Sequence, residues 1–265
     1  MPDVSKSQLA FLKQHKREKH LITITRIFIF IAFLALWETA AQKLWIDSFI
    51  FSSPSKIAAT FWEMLKKHAL WKHIGITLLE TLVSFSLVIV ISTATAVLLW
   101  AFPKVSKILE PYLVVLNSLP KSALAPLLIV WLGANTKTII VAGLSVAVFG
   151  SIINLYTGFQ ETDPEKIKLI QTFGGNKCHQ LTKIVLPSSI PLILSTMKVN
   201  IGLCLVGVII GEFIGAREGL GYLIIYGSQV FKLDWVILSI IILCFAAIFL
   251  YGILSILERI FLKKR

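Results

Sequence analysis

The sequence predicts an all-α polytopic membrane protein with six transmembrane helices. Of its 265 residues, 56% are hydrophobic and 15% are charged, whereas soluble domains carry roughly 25% charged residues. Three segments, residues 81–103, 138–160 and 235–257, each run for 23 positions without a charge. A helix of that length extends about 35 Å, enough to cross a hydrocarbon core about 30 Å thick. The composition therefore excludes a soluble enzyme, and it excludes a disordered chain because disorder requires low hydrophobicity.

Three further segments are long enough to span the membrane if each accommodates one charged residue. They are residues 27–42 with Glu38, residues 111–136 with Lys121 and residues 184–211 with Lys198. Together the six predicted helices lie near residues 27–42, 78–102, 110–133, 138–159, 189–213 and 235–257. The chain then divides into a cytoplasmic N-terminal segment, a transmembrane domain and a basic tail, at residues 1–26, 27–258 and 259–265.

The distribution of positive charge predicts the orientation of the chain. With an even number of spans both termini lie on one side, and sixteen of the 26 Lys and Arg residues fall on that side. Cytoplasmic loops are enriched in Lys and Arg, so both termini are expected to face the cytoplasm. In the first outer loop, residues 55–72 carry apolar side chains at helical spacing, which predicts an amphipathic helix on the outer surface.

The sequence contains no motif for covalent chemistry or metal binding. It has no GxxxxGK[ST] phosphate loop, no GxSxG elbow and no HExxH pair, and its three cysteines form no CxxC pair. The net charge of +12 is not organised as a basic run interleaved with aromatic residues, so nucleic acid is not an expected partner. We expect a chain that is not an enzyme, holds no cofactor or metal, and depends on another polypeptide for any nucleotide-driven work.

The most informative polar segment lies between the fourth and fifth predicted spans. Asp163 followed by Pro164 is a typical helix start, since aspartate caps the helix and proline suits its first position. The Gly174-Gly175 pair ends this short helix, and Asn176 can cap a second one. The segment is expected to form a helix–glycine–helix elbow on the cytoplasmic side, whose exposed apolar residues need a partner. The alternative is a surface hairpin folded back on the membrane.

This segment, residues 161–187, resembles the cytoplasmic coupling loop of ATP-binding-cassette importer permeases. The family pattern is Glu-Ala-Ala, three residues, Gly, nine residues and Ile-x-Leu-Pro, and here Gly174 precedes Ile184-Val185-Leu186-Pro187 by nine residues. The first half departs from the pattern, because Lys168 stands where the family has its acid. In the family this loop inserts into a groove of the ATPase subunit. The resemblance assigns that role to Lys168, Leu169, Ile170, Phe173, Gly174, Gly175, Ile184, Leu186 and Pro187.

Three other segments are similar to the nitrate/sulfonate/taurine group of these permeases. They are residues 211–224, which contain Gly-Leu-Gly-Tyr after an acid, residues 111–133, and residues 53–55 before the amphipathic helix. The similarity covers roughly residues 50–258. It implies the type I importer (MetI-like) permease fold in a multi-pass protein of the bacterial inner membrane.

The resemblance also implies an assembly in the lipid bilayer. The chain would form a homodimer and work with two copies of an ABC ATPase subunit and with an extracytoplasmic substrate-binding protein. ATP and Mg²⁺ would bind to the ATPase, with no cofactor in this chain. Closure of the ATPase pair would move the two coupling loops together and open the cavity outward.

Polar residues inside the spans are the candidates for the translocation pathway or its gate. Pro120 and Pro126 are expected to break the third span, and carbonyls freed at membrane depth require protein or a water-filled cavity around them. An intramembrane lysine is costly, so it should line the cavity and favour anionic cargo, pair with an acid, or snorkel. The candidates are Asn117, Lys121, Ser122, Lys198, Asn200 and Glu212.

Two of these candidates have structural alternatives. Lys198 with Asn200 either lines the pathway or makes a packing contact near the cytoplasmic end of the fifth span. Glu212 either closes a gate across a two-fold axis or pairs with Arg217. Glu80, which lies near the end of a predicted span, is expected to be solvated at the membrane interface.

The resemblance predicts a small organic anion or oxyanion as cargo, such as a sulfonate, taurine or nitrate. A vitamin precursor of the thiamine-pyrimidine or riboflavin type is the alternative. The rival classes are an ion-coupled secondary transporter, which needs paired broken helices in two repeated halves, and a membrane scaffold or intramembrane enzyme, which needs a polar catalytic set. The sequence shows one broken span and no repeat.

Overall fold

The computed structural model describes residues 6–263, with side chains described from residue 14 onward except at residue 262. Over this range the chain is helical and contains no β-strand, which confirms the all-α prediction. It divides into two compact units, Met1–Glu63 and Met64–Arg265. The first five and last two residues of the predicted terminal segments lie outside the described residues.

Apart from residues 43–53, the connections between the described helices are short. In chain order they are α1 (Lys6–Gln42), α2 (Pro54–Lys66), α3 (Ala69–Ala101), α4 (Pro103–Ser118), α5 (Lys121–Leu132), α6 (Thr136–Gln160), α7 (Pro164–Thr172), α8 (Lys177–Gln180), α9 (Leu186–Gly215), α10 (Leu220–Gln229) and α11 (Leu233–Lys263). A π-helical turn (Leu181–Val185) connects α8 to α9.

Among the described residues, five helical segments are long and apolar enough to cross a membrane: Gln14–Gln42, Ala69–Ala101, Thr136–Gln160, Lys177–Gly215 and Leu233–Phe261. The sixth predicted span corresponds to a bent pair, α4 and α5. The predicted count of six is therefore reached when the bent pair is counted as one span.

In the first unit, the carboxylate of Glu38 ties the loop after α1 back to that helix. It accepts the backbone N–H of Ser55 at 3.0 Å and the Ser55 hydroxyl at 2.7 Å. It also accepts the side-chain amide of Gln42 at 2.9 Å. The single charge predicted inside the first span is therefore used to position the start of α2.

The amphipathic helix predicted over residues 55–72 is shorter than expected. α2 ends at Lys66, and His68 adopts a left-handed backbone with φ 55°. A non-glycine residue rarely takes this conformation, and it interrupts the helix. α3 consequently begins at Ala69 instead of near residue 78, and Lys72 belongs to the first turn of α3.

The third predicted span is broken at Pro120. α4 and α5 meet at 96° across Leu119 and Pro120, whose ψ angles of 137° and 101° are extended. Proline lacks a backbone N–H and disfavours the helical conformation of the residue before it. The second expected break is wrong: Pro126 lies inside α5, where its ring is on the exposed side and only one backbone hydrogen bond is lost.

α3, α6 and α9 form the centre of the second unit. Val88, Ala147 and Cys204, one from each helix, have no exposed surface. At the contact between α6 and α9, a Cβ added to Gly207 would lie 2.8 Å from the Cα of Gly143. Small residues let membrane helices approach this closely. This close packing sets the register of the two helices that carry most of the buried polar groups.

Residues 161–187, called the elbow below, form the predicted helix–glycine–helix unit. Asp163 caps α7 by accepting a backbone N–H at 2.9 Å, and Asn176 caps α8 by accepting a backbone N–H at 3.0 Å. Gly174 lies between them with φ 76°, a conformation that favours glycine. The second arm of the elbow continues through the π-helical turn into α9, so that Lys177–Gly215 is one helical segment.

Candidate translocation site, outer turn and elbow

Polar side chains gather where α4 meets α5. Asn117 and Ser122 are exposed at this break. The Lys121 ammonium donates to the carbonyl of Leu116 and lies 5.0 Å from the centre of the Phe149 ring. Within the described residues Lys121 has no carboxylate partner, so the ion pair considered as an alternative is not formed there. A backbone carbonyl and an aromatic face take its place, and both are weaker partners than an acid.

A hollow of about 320 Å³ opens between α6 and α9. Its lining is uncharged, and consists of Gly150, Ser151, Asn154, Ser195, Thr196, Val199, Asn200 and Leu203. The hollow adjoins the α4–α5 break, because a Cβ added to Gly150 would lie 3.1 Å from the Oδ1 of Asn117. Asn117 thus stands at the rim of the hollow.

Hydrogen bonds between helices hold the floor of this hollow. The Asn200 amide on α9 donates to the Ser151 hydroxyl on α6 at 2.9 Å, and Ser151 donates to the Ser92 hydroxyl on α3 at 3.0 Å. The Asn154 amide donates to the Thr196 hydroxyl at 2.7 Å. Buried polar groups are stable only when paired in this way, so three of the predicted spans meet at a polar layer.

Lys198 and Asn200, which were predicted to act together on the fifth span, lie on different sides of α9. Asn200 belongs to the hollow, whereas the Lys198 ammonium is 2.6 Å from a carboxylate oxygen of Glu258 on α11. The Lys198 ammonium also lies 5.9 Å from the centre of the Tyr251 ring. Lys198 therefore forms an ion pair with α11 and is not among the residues that line the hollow. The only sequence signal for this pair was an acid at the end of the sixth span.

Glu212 is fully buried at the end of α9. One carboxylate oxygen accepts the Thr77 hydroxyl at 2.7 Å, and the other accepts the backbone N–H of Gly221 at 2.5 Å. The Thr77 hydroxyl in turn accepts the backbone N–H of Leu220 at 2.8 Å. No ion pair joins Glu212 to Arg217 within the described residues, so that alternative is wrong. Arg217 is exposed, and Glu212 instead accepts the backbone N–H of Gly221 at the start of α10.

The turn between α9 and α10, residues 216–219, is shaped around this carboxylate. Gly219 has φ 115°, and a Cβ there would overlap the Glu212 carboxyl group. Its backbone N–H donates to the His73 Nδ1 at 2.9 Å, and the neighbouring Glu218 forms an ion pair with Lys72. Sequence reasoning missed Thr77 and His73, since neither belongs to a motif.

Glu80 is buried beside Glu212, where the sequence predicted a solvated acid. It is 1% exposed, its carboxyl group is in hydrogen-bonding contact with Glu212 and with Thr136, and its Oε2 has no partner. The prediction was wrong because α3 starts at Ala69, which puts Glu80 three turns inside the helix instead of at its end.

The elbow presents the apolar residues that the sequence assigned to coupling. Leu169 on α7 and Phe173, the residue that follows α7, are 55% and 78% exposed. The Phe173 N–H still donates to the Leu169 carbonyl at 3.2 Å, as in a helix, which places the two side chains on one face. Lys168 is exposed beside them. The remaining assigned residues are Ile170, Gly174, Gly175, Ile184, Leu186 and Pro187. Of these, Ile170 packs against Gly175, and Ile184, Leu186 and Pro187 are half-buried near the core around Val185.

Membrane-crossing helices joined by buried polar side chains beside a hollow, together with an elbow that exposes apolar residues, are typical of a membrane transport protein. The family described as the binding-protein-dependent transport system inner membrane component matches residues 86–265. The chain belongs to that family, whose members are permease subunits of ABC importers that work with an ATPase and a substrate-binding protein, and it is a multi-pass protein of the inner membrane.

Relatives with known names span nearly the whole chain. A probable ABC transporter permease protein of Haemophilus influenzae is 30% identical over 82% of this chain and 88% of its own length. A putative aliphatic sulfonates transport permease protein of Escherichia coli is 24% identical over 93% and 94%. A riboflavin transport system permease protein of Chloroflexus aurantiacus is 27% identical over 87% and 86%. The relatives therefore differ in the cargo that their names state.

A solved structure confirms the fold class. A crystal structure of an amino acid ABC transporter with histidines superposes with a TM-score of 0.56 at 16% sequence identity. The match covers 77% of this chain and 98% of that one. The MetI-like importer permease fold expected from the sequence is thus confirmed.

Proposed function

We propose that this chain forms the translocation pathway of an ATP-driven importer and couples that pathway to a separate ATPase subunit. One observation carries the proposal: the second arm of the elbow and one wall of the hollow belong to the same helical segment, Lys177–Gly215. Ile184 lies in the elbow and Thr196 lines the hollow. At 1.5 Å per residue the two are about 18 Å apart along the helix, so a displacement of the elbow reaches the hollow through a stiff element.

The exposed face of α7 supports docking of the elbow on a partner. Leu169 and Phe173 expose apolar surface in the segment that connects two of the helices long enough to cross a membrane. Exposed apolar patches of this kind mark protein interaction sites. In this proposal the ATPase subunit receives them, and Lys168 faces the same partner.

The proposed working unit contains two copies of this chain, two ATPase subunits and an extracytoplasmic binding protein. ATP and Mg²⁺ bind to the ATPase subunits, and this chain performs no covalent chemistry and holds no cofactor. Closure of the ATPase pair draws the two elbows together and switches the helix bundle between two arrangements, as expected for a bistable element biased from a distance. The excess of Lys and Arg on the elbow side favours both termini and the elbow in the cytoplasm.

The proposed cargo is a small organic anion or oxyanion. Lys121 supports this choice, because it is a cation at the break of the third span with no carboxylate partner among the described residues. Such a group attracts a negatively charged ligand in a low-dielectric site. The second candidate is a vitamin precursor, favoured by the uncharged lining of the hollow and by the riboflavin permease among the relatives.

Reconstitution tests the proposal. The tagged chain is produced with its ATPase and binding protein, purified, and placed in liposomes. We expect the ATPase to co-purify and uptake to require ATP. Absence of the ATPase from the purified complex would refute the importer assignment. Uptake without ATP, driven by a proton or sodium gradient, would instead support an ion-coupled secondary transporter.

A further inference from the structure

The hollow between α6 and α9 has a rigid polar floor. Ser151 and Asn200 are each 3% exposed and Thr196 is 6% exposed. All three are hydrogen-bonded across helices, at 2.7 to 3.0 Å. Side chains locked in this way do not need to be ordered when a ligand arrives, which favours binding. The hollow is therefore preformed.

Some hydrogen-bond donors and acceptors at the mouth of the hollow are not used by other groups of the described chain. Asn154 uses its amide N–H₂ on Thr196, and its Oδ1 makes no hydrogen bond within the described residues. The whole side-chain amide of Asn117 is likewise unbonded within that part of the chain. The Ser195 hydroxyl donates to the Leu192 carbonyl at 2.9 Å and retains its lone pairs. The mouth thus offers acceptors and, from Asn117, a donor.

Lipid does not satisfy these groups. A polar side chain that faces hydrocarbon without a partner loses the hydrogen bonds it makes in water. An acyl chain in the hollow would leave the Asn154 carbonyl and the Asn117 amide unpaired. Water can form hydrogen bonds with the Asn154 carbonyl and the Asn117 amide, and a polar ligand that displaces this water can form the same hydrogen bonds.

The lining also limits the charge of the occupant. None of the eight lining residues is ionisable, and a charged group moved from water into an uncharged site keeps its full desolvation cost. Val199 and Leu203 add an apolar wall. The volume of about 320 Å³ is at the lower end of the range of small-molecule sites. The site suits a small ring or amide with a hydrogen-bonding edge and an apolar face.

We propose that the hollow is a cargo subsite that binds an uncharged, hydrogen-bonding group, such as the edge of a carboxamide, ureide or pyrimidine-type ring. This inference rests on the proposed function, since it concerns the cargo of the same pathway. The subsite is separate from Lys121, which receives any anionic group of the cargo. A cargo that carries such an edge is held at two points, whereas a simple alkanesulfonate is held at one.

Cysteine labelling of the complete chain with its ATPase tests the subsite. Val199→Cys places a thiol in the hollow, and Val90→Cys places one on the exposed side of α3; the two valines are 62% and 65% exposed. Both are built in a Cys178→Ser, Cys244→Ser background, since those two native cysteines are exposed and Cys204 is buried. The reagent is iodoacetamide, and the competing probes are uracil, an uncharged ring, and ethanesulfonate, an anion without such an edge.

We expect the Val199→Cys thiol to react on the order of tenfold faster than the Val90→Cys thiol, because the reactive thiolate forms poorly in an apolar environment. Uracil should slow the reaction at Val199→Cys and leave Val90→Cys unchanged, and ethanesulfonate should protect neither. Adding Asn154→Leu should weaken protection by uracil about fivefold, as expected for the loss of one hydrogen bond. Thr196→Val serves as the second variant if Asn154→Leu is not produced in folded form.

Three results would overturn the subsite. Equal, slow labelling at both positions means that lipid fills the hollow. Labelling without protection by uracil means that the hollow holds water only. Protection by ethanesulfonate alone means that the site binds anions and not an uncharged hydrogen-bonding group. These outcomes do not depend on ATP-driven uptake, so failure of the importer assignment would be recognised separately by loss of the ATPase from the complex.

Discussion

The Glu212 carboxylate at the end of α9 accepts the backbone N–H of Gly221 at the start of α10, with 2.5 Å between the two atoms. Its second oxygen accepts the Thr77 hydroxyl of α3 at 2.7 Å. One buried side chain therefore connects three helices at the end of the bundle opposite the elbow. Because no bulk water replaces a lost partner at this depth, the members of this cluster are sensitive positions.

Thr77→Val should destabilise the protein by about 1–3 kcal/mol, since it removes the hydroxyl that donates to one carboxylate oxygen of Glu212 and accepts the Leu220 N–H. The measurement is thermal unfolding of the purified protein in detergent. Thr25→Val is the matched control, because the Thr25 hydroxyl is exposed and bonds only the Leu21 carbonyl of its own helix. Equal unfolding temperatures of the two variants would contradict a structural role for Thr77.

Gly219→Ala should reduce both stability and uptake. The backbone of Gly219 has φ 115°, which costs a residue with a side chain about 1 kcal/mol or more, and the added methyl group would overlap the Glu212 carboxyl. Gly75→Ala is the control, since a Cβ at Gly75 has no atom within 4 Å and alanine favours the helix. The prediction fails if Gly219→Ala unfolds at the same temperature as Gly75→Ala.

Phe173→Ala should weaken coupling strongly while leaving stability unchanged. Phe173 is 78% exposed, so its removal creates no cavity, but it takes the largest apolar side chain from the face proposed to dock on the ATPase. We expect co-purified ATPase to decrease and ATP-driven uptake to fall at least about tenfold, which corresponds to 1.4 kcal/mol. Phe245→Ala, which truncates a 67% exposed phenylalanine of α11, is the control.

A backbone change in the elbow should separate hydrolysis from transport. Gly174→Pro replaces a residue at φ 76° with one restricted to about −65°, and it removes the N–H that donates to the Gln171 carbonyl. The variant should remain in the membrane and hydrolyse ATP without uptake. Normal uptake by Gly174→Pro would show that the elbow is not the coupling element.

Lys198 and Glu258 should behave as a pair. Either Lys198→Leu or Glu258→Leu leaves one partly buried charge without its partner between α9 and α11, so each single variant should unfold at lower temperature than the parent. The double variant Lys198→Leu, Glu258→Leu should recover most of the loss, because it removes both charges together. Unfolding is followed by thermal denaturation in detergent. Purely additive losses in the double variant would show that the two groups do not interact.

Lys121→Met should lower uptake of an anionic cargo and spare an uncharged one. The substitution keeps an unbranched side chain, shorter by the ammonium group, and removes its charge, and a loss of 1.4 kcal/mol of attraction reduces uptake about tenfold. Lys121→Arg should retain uptake, and Lys137→Met, which changes an exposed lysine at the start of α6, should have no effect. Undiminished uptake of the anion by Lys121→Met would argue against an anion-binding role for Lys121.

Hydropathy and local capping signals predicted most of the local structure. Uncharged segments located α3, α6 and α11, and the Asp163 and Asn176 caps located the two arms of the elbow, because these signals act between residues close in the chain. The errors have local causes as well. The left-handed backbone of His68 was not visible in a sequence where most turns are marked by glycine or proline, so the start of α3 and the burial of Glu80 were missed.

The sequence by itself determined which segments are long and apolar enough to cross a membrane, that the third span breaks at Pro120, although it wrongly added a break at Pro126, and which residues turn the elbow. Only the tertiary structure decided what each polar side chain faces. Lys198 and Asn200 are two residues apart and therefore about 200° apart around the helix, so they point to different neighbours. Glu258, 60 residues away from Lys198, became its partner through the packing of α11 against α9. Partners across helices depend on helix rotation and register, which arise from packing of the whole bundle and leave no local signal in the chain.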